Sequence, residues 1–207
     1  MGLSLLRVRV VAGIVFLSLI AMSQQGCQMQ PVITPQKLIR HQQVINTTGL
    51  RDVASFDVVK ARAAAPRAWD QLSVKKTALF TDLQWRSPSK QTAVGVVFIK
   101  MPLPLPPATL IWFAKQEYLK RGEEGKILGQ WSDELGRQWF EAENKKYHAR
   151  GYVLTKGFEA WIVYSGYRTE NPASADEIAV AKRAQETIFP TPFAPSQAQT
   201  PTATAAD

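Results

Sequence analysis

Glu141 and Glu143, two residues apart with one imidazole close behind, come nearest to a catalytic set in this 207-residue chain. They share one face of a predicted strand, Asp133 and Glu134 precede them, and His148 follows in a charged stretch. Paired carboxylates with an imidazole could do general acid–base hydrolysis. A solvated strand face carries the same residue types, and nothing around these singles them out. Ser165, in Val163-Tyr164-Ser165-Gly166-Tyr167, is not a nucleophile elbow, because Val163 stands where G-x-S-x-G needs its first glycine. Gly125-Lys126 and Gly129 lack the spacing of a phosphate loop. His41, His148 and Cys27 are too few and too far apart for a structural zinc site, which takes about four ligands. The residues predict no catalytic group, no metal and no cofactor.

A second group is basic and aromatic. Lys145, Lys146, Tyr147, Arg150 and Tyr152, with His148 among them, fall along one predicted hairpin. Rings and cations mixed in this way could stack bases and pair phosphates. They could equally lie on a membrane interface or hold an envelope polymer.

The first 27 residues decide where such an edge would work. Arg7 and Arg9 precede a 13-residue apolar run, Val10 to Met22, and a short polar stretch ends at Cys27, the lone cysteine. A membrane span takes about 20 apolar residues, whereas a secretory signal has a positive start and a core of about 7–15. The leader therefore predicts export. Ala21-Met22-Ser23 offers small residues for cleavage after Ser23, giving a soluble secreted or periplasmic protein. Gly26-Cys27 matches the end of a bacterial lipobox, with Gln24 and Gln25 where an aliphatic and a small residue are usual. An exported lone cysteine cannot pair within the chain. Acylation explains its place, so Cys27 is the predicted lipid-attachment residue and the membrane the predicted partner.

Removing the leader with its two arginines lowers the net charge from +8 to +6. A basic exported protein can meet anionic headgroups, acidic polymers or nucleic acid; the export signal argues against the last. Residues 1–26 read as signal peptide, 27–52 as a polar tether and 53–189 as one domain. Residues 190–207, rich in Pro, Thr, Ala and Gln, read as a disordered tail.

Within the domain, Val53–Val59 reads as a strand and Ala61–Ala65 as a helical turn. Trp69–Arg86 alternates in two strand pieces, with Leu79, Thr81, Leu83 and Trp85 on one face. Ala93–Met101 is apolar on both faces, the mark of a central strand. The run MPLPLPP cannot lie inside a sheet, since its prolines donate no hydrogen bonds. A helix follows from about Pro107 to Arg121, with Leu110, Ile111, Phe113, Ala114 and Tyr118 as its apolar stripe and Gly122 as its stop. Lys126–Trp131, Gln138–Glu143, Tyr147–Thr155 and Phe158–Tyr167 predict an antiparallel meander. Ser174-x-x-Glu177 has capping-box spacing, opening a helix to about Thr187 with Ile178, Ala181, Ala184 and Ile188 buried. The order predicts an α+β protein, an antiparallel β-sheet flanked by helices.

That order resembles the PsbP-like proteins, which share an α/β/α sandwich. The residues carrying the likeness are Pro66 and Trp69, the strand Ala93–Met101, the helix Leu110–Arg121, the strands Gln138–Glu143 and Tyr147–Tyr167, and the helix Ser174–Ile188. Members are mostly non-enzymatic accessory or binding proteins, and bacterial ones include exported lipoproteins. The resemblance implies that role here: a lipid-anchored envelope domain that binds a protein or polymer. The alternatives are a hydrolase acting on envelope material and, third, a binder of nucleic acid or another anionic polymer.

Overall fold

The computed structural model describes residues 35–76, 80–120, 125–171 and 173–193. Cys27 and its leader, Leu79, Arg121, Gly122 and residues 194–207 lie outside them. In chain order the elements are α1 (Pro35–Val44), β1 (Leu50–Phe56), β2 (Ala61–Pro66), β3 (Asp70–Lys76), β4 (Phe80–Arg86) and β5 (Thr92–Lys100). Then come α2 (Pro107–Lys120), β6 (Lys126–Ser132), β7 (Gln138–Glu143), β8 (Tyr147–Lys156), β9 (Glu159–Arg168), α3 (Ala175–Thr187) and β10 (Phe189–Pro190). Seven strands form one sheet in the order β3-β4-β5-β9-β8-β7-β6, and β1-β2-β10 form a second. Every pairing is antiparallel. The protein is α+β.

Strand alternation separates two cores. Val94, Val96, Phe98, Trp139, Tyr152, Leu154, Trp161 and Val163 join one cluster with Ala181 and Ala184 of α3 and the alanines of β2. Phe140, Val153, Ala160, Ile99 and Ile162, of opposite parity in the same strands, join Leu110 and Ile111 of α2. The clusters therefore lie on opposite faces of the large sheet. This explains why β5 and β9 carry apolar residues at successive positions. At their junction Gly95 faces Tyr164. A Cβ at Gly95 would stand 2.7 Å from the Tyr164 hydroxyl, so only glycine lets that ring cross the strand. The hydroxyl donates to Asp82 Oδ1 at 3.2 Å.

Three expectations are corrected. Ala61–Ala65 is a strand, not a helical turn: β2 pairs with β1 and β10. Alanine favours helix locally, but two neighbouring strands satisfy its backbone, and small side chains let α3 lie against it. Ordered structure also starts earlier than the domain limit at 53. Residues 35–44, read as tether, form α1, whose Leu38 is fully buried. At the other end Pro190 pairs with Ala61 before the short 3-10 turn Thr191–Phe193. The capping box is half-formed: Ser174 Oγ accepts from Glu177 N at 3.2 Å, but the Glu177 carboxylate turns to Ser89 Oγ at 2.5 Å. That contact joins α3 to the β4–β5 turn instead of closing the cap on itself.

Candidate binding cleft

The site begins with a tight turn. Between β6 and β7, Asp133 Oδ1 accepts from the backbone N–H of Leu135 (3.0 Å) and of Arg137 (2.9 Å). Gly136, at φ +77°, supplies the left-handed step the turn needs. An Asx turn of this kind is a local consequence of Asp-x-x-Gly. It pins Leu135 into the core and aims Arg137 back over the sheet.

What Arg137 meets is decided by register. Trp131 of β6 pairs with Trp139 of β7, and Trp139 with Tyr152 of β8, so three aromatic rings stand in a row. The two indoles are parallel within 1°, with centroids 5.9 Å apart. The Arg137 guanidinium lies 4.9 Å from the Trp139 ring and 4.8 Å from the Tyr152 ring. That of Arg150 lies 4.2 Å from Trp139 and 5.7 Å from Trp131. All four separations are within cation–π range.

Arg137 is only 3 % exposed. A buried charge needs partners, and it has two. Its Nε donates to Asp133 Oδ2 at 2.6 Å and its Nη2 to Glu186 Oε2, from α3, at 2.7 Å. Trp139 Nε1 also donates to Asp133 Oδ2, at 2.8 Å. Glu186 further meets Arg150 Nη2 at 3.4 Å and His41 Nε2, at the end of α1, at 3.5 Å. Burial alone would raise the Glu186 pKa; His41, Arg137 and Arg150 outweigh it and hold the carboxyl below its ordinary value. Tyr152, fully buried beneath, donates its hydroxyl to the Ile188 carbonyl. Above this network opens a cleft of about 220 Å³, lined by His41, Trp131, Asp133, Glu134, Arg137, Trp139, Arg150 and Glu186.

The predicted binding edge is divided between the β7–β8 turn and the two faces of β8. Lys145 and Lys146 are exposed in the β7–β8 turn, held by Asn144 Oδ1, which accepts from Lys146 N and Tyr147 N at 2.9 and 2.8 Å. Tyr147 is half-buried. Arg150 and Tyr152 point instead to the α3 face, where Arg150 joins the cleft and Tyr152 joins the core. The five residues do not make one surface.

The acid–base candidates do meet. His148 Nε2 lies 3.0 Å from Glu141 Oε1, and its ring stacks on Tyr167 at 4.7 Å. Burial pushes the His148 pKa down, overcoming the opposite pull of Glu141 and Glu143. His148 is therefore tucked between neighbours, not solvated on a strand as expected. Beside it the free space is about 10 Å³. Ser165 nearby donates to Gln185 Oε1 at 2.8 Å. Glu143 faces Lys126 at 3.5 Å. Among the described residues, no group of three or more His, Cys, Asp or Glu side chains is placed to hold a metal ion.

Sequence reasoning missed Trp131, Arg137, Trp139 and Glu186 as a group. One signal was available: Asp133-Glu134-Leu135-Gly136 between two tryptophans of equal parity reads as a turn that stacks them across neighbouring strands. Glu186 and His41 had none, since they arrive on helices remote in sequence.

The chain matches no protein-family model and no curated protein at a significant level.

Proposed function

We propose that this is a non-enzymatic binding domain of the cell envelope, held to a membrane by lipid on Cys27, with helices layered on both sides of the sheet in the PsbP-like manner. The observation that carries the reading is the contrast between the two polar clusters. The His148–Glu141 pair has beside it space for about one water. The guanidinium–tryptophan cleft is twenty-odd times roomier, and its Asp133 and Glu186 carboxylates are already engaged by arginine and backbone donors. A carboxylate so held is a poor base, while a rigid mixed surface suits recognition. The partner is an envelope protein or polymer.

Crosslinking in intact cells followed by pulldown tests this. An envelope component is expected to be enriched over a Cys27→Ala control; recovery of nothing beyond that control refutes the reading. Mass spectrometry of the mature N-terminus checks the anchor: diacylglycerol on Cys27 is expected, and an unlipidated N-terminal Gln24 rules it out. The hydrolase alternative draws on the 3.0 Å His148–Glu141 contact. It requires that His148→Ala and Glu141→Gln abolish an activity on envelope material.

A further inference from the structure

Four features of the cleft bear on what it would hold. Trp131 is 37 % exposed at the rim, and its plane is fixed by Trp139 alongside and by the Arg150 guanidinium. The platform is therefore flat, apolar and already ordered before anything binds. Formal charges lining it nearly balance. Arg137 and Arg150 face Asp133, Glu134 and Glu186, with His41 beside them. The basic excess of the chain is thus not concentrated here.

Bonding capacity left over at the rim is of both kinds. Asp133 is filled by four donors. Glu186 Oε1 has only the long Arg150 contact, and the Glu134 carboxylate is exposed. The Arg150 side chain, 24 % exposed, spends only that one long hydrogen bond and keeps guanidinium N–H groups to donate. Donor and acceptor sites side by side suit hydroxyl groups, which are both at once. Finally, about 220 Å³ is below the roughly 300–1,000 Å³ of drug-sized pockets. The space fits one saturated ring more closely than a folded partner.

We infer that this cleft is a subsite for a neutral sugar ring of an envelope glycan, stacked by its C–H face on Trp131 with its hydroxyls toward Glu134, Glu186 and Arg150. The inference deepens the binding-domain reading and rests on it. A polyanion would meet three carboxylates as well as the arginines. A purely apolar ligand would leave Arg150 and Glu186 stripped of water without replacement.

The test titrates the full chain, in detergent, with a neutral N-acetylated chito-oligosaccharide and with polygalacturonate as an anionic counterpart. Saturable binding of the neutral oligosaccharide is expected. Trp131→Ala should weaken it about tenfold, from loss of the buried ring face, while Trp131→Phe keeps most of it. Trp112→Ala, at an exposed aromatic on α2, should leave it unchanged. Glu134→Gln, an exposed change that spares the packing, should cost about threefold and serves if Trp131→Ala does not fold. The inference is overturned by an absence of saturable neutral binding, by equal affinity in the Trp131 and Glu134 variants, or by tighter binding of polygalacturonate. Should cellular crosslinking persist while oligosaccharide binding is absent, the glycan assignment fails and the binding-domain reading stands. Should crosslinking itself recover nothing, the reading beneath it fails.

Discussion

Replacing Glu186 with Gln removes a charge from the centre of the Arg137 network and keeps its shape. Glu186 takes Arg137 at 2.7 Å, with Arg150 at 3.4 Å and His41 at 3.5 Å as weaker contacts. Breaking a fully buried pair by removing one partner costs about 3–5 kcal/mol. Two facts reduce that here. The Glu186 side chain is 25 % exposed, so water partly replaces what is lost, and Arg137 retains Asp133 at 2.6 Å. The expected loss at neutral pH is about 1–2 kcal/mol, or about 2–8 °C in Tm for a domain of this size. The native pKa of Glu186 lies below its ordinary 4.5. Its stabilisation is therefore present above that ordinary value and disappears as pH falls through the native one. Urea unfolding of both proteins at a series of pH values from 7 to 3 reads this directly. The stability gap should be open at pH 7 and narrow as pH falls through the native value, where the wild-type carboxyl takes up its proton. A gap that stays constant with pH would show that the loss is steric, and a gap absent at pH 7 would show that the network contributes no stability.

Other positions give independent checks. Tyr152→Phe should destabilise the fold by about 1–2 kcal/mol in chemical denaturation, since the Ile188 carbonyl loses its buried donor; its phenol, pushed far up by burial, should show no tyrosinate absorbance while the protein stays folded. Gly95→Ala should cost about 1–3 kcal/mol by thermal melt, because its Cβ meets both the Leu83 carbonyl and the Tyr164 hydroxyl at 2.7 Å, and Tyr164→Phe in the same chain should recover only the hydroxyl's share. By NMR, His148 should titrate below 6.5. Its neutral form is favoured in the native state, so stability falls as pH drops below the unfolded value, and His148→Gln should flatten the stability profile there.

The elements that were legible are those whose pattern is local. Apolar residues on both faces of Ala93–Met101 mark a strand covered from two sides, and β5 is buried on both. The helical stripe Leu110–Ile111–Ala114 marks α2, and its residues enter the second core. Lys156-Gly157 marks a hairpin, and Gly157 takes φ +59°. The meander from β6 to β9 follows the boundaries read from alternation within a residue or two. Where local pattern and tertiary pairing compete, pattern misleads: Ala61–Ala65 has helical composition but lies between two strands. Residues 35–44 are mostly polar and show no clear stripe, yet Leu38 is fully buried and anchors α1 to the core.

The candidate site was less legible, for a physical reason. Lys145 to Tyr152 form a continuous stretch of chain, but its lysines sit in the β7–β8 turn, and alternation along β8 separates Tyr147 from Arg150 and Tyr152. Packing on the α3 face then makes one of that pair a cleft arginine and the other a core tyrosine. By itself the sequence determined the lone Cys27, most of the strand and helix segments and the local chemistry of the turn at Asp133-Gly136, because each depends on residues within a few positions. Only the tertiary structure decided that Arg137 is buried between two rings. The carboxylates that make this tolerable come from Asp133 beside it and from Glu186, 49 residues later. Chain separation sets no limit on such a pairing; the register of β6, β7 and β8 beneath α3 does.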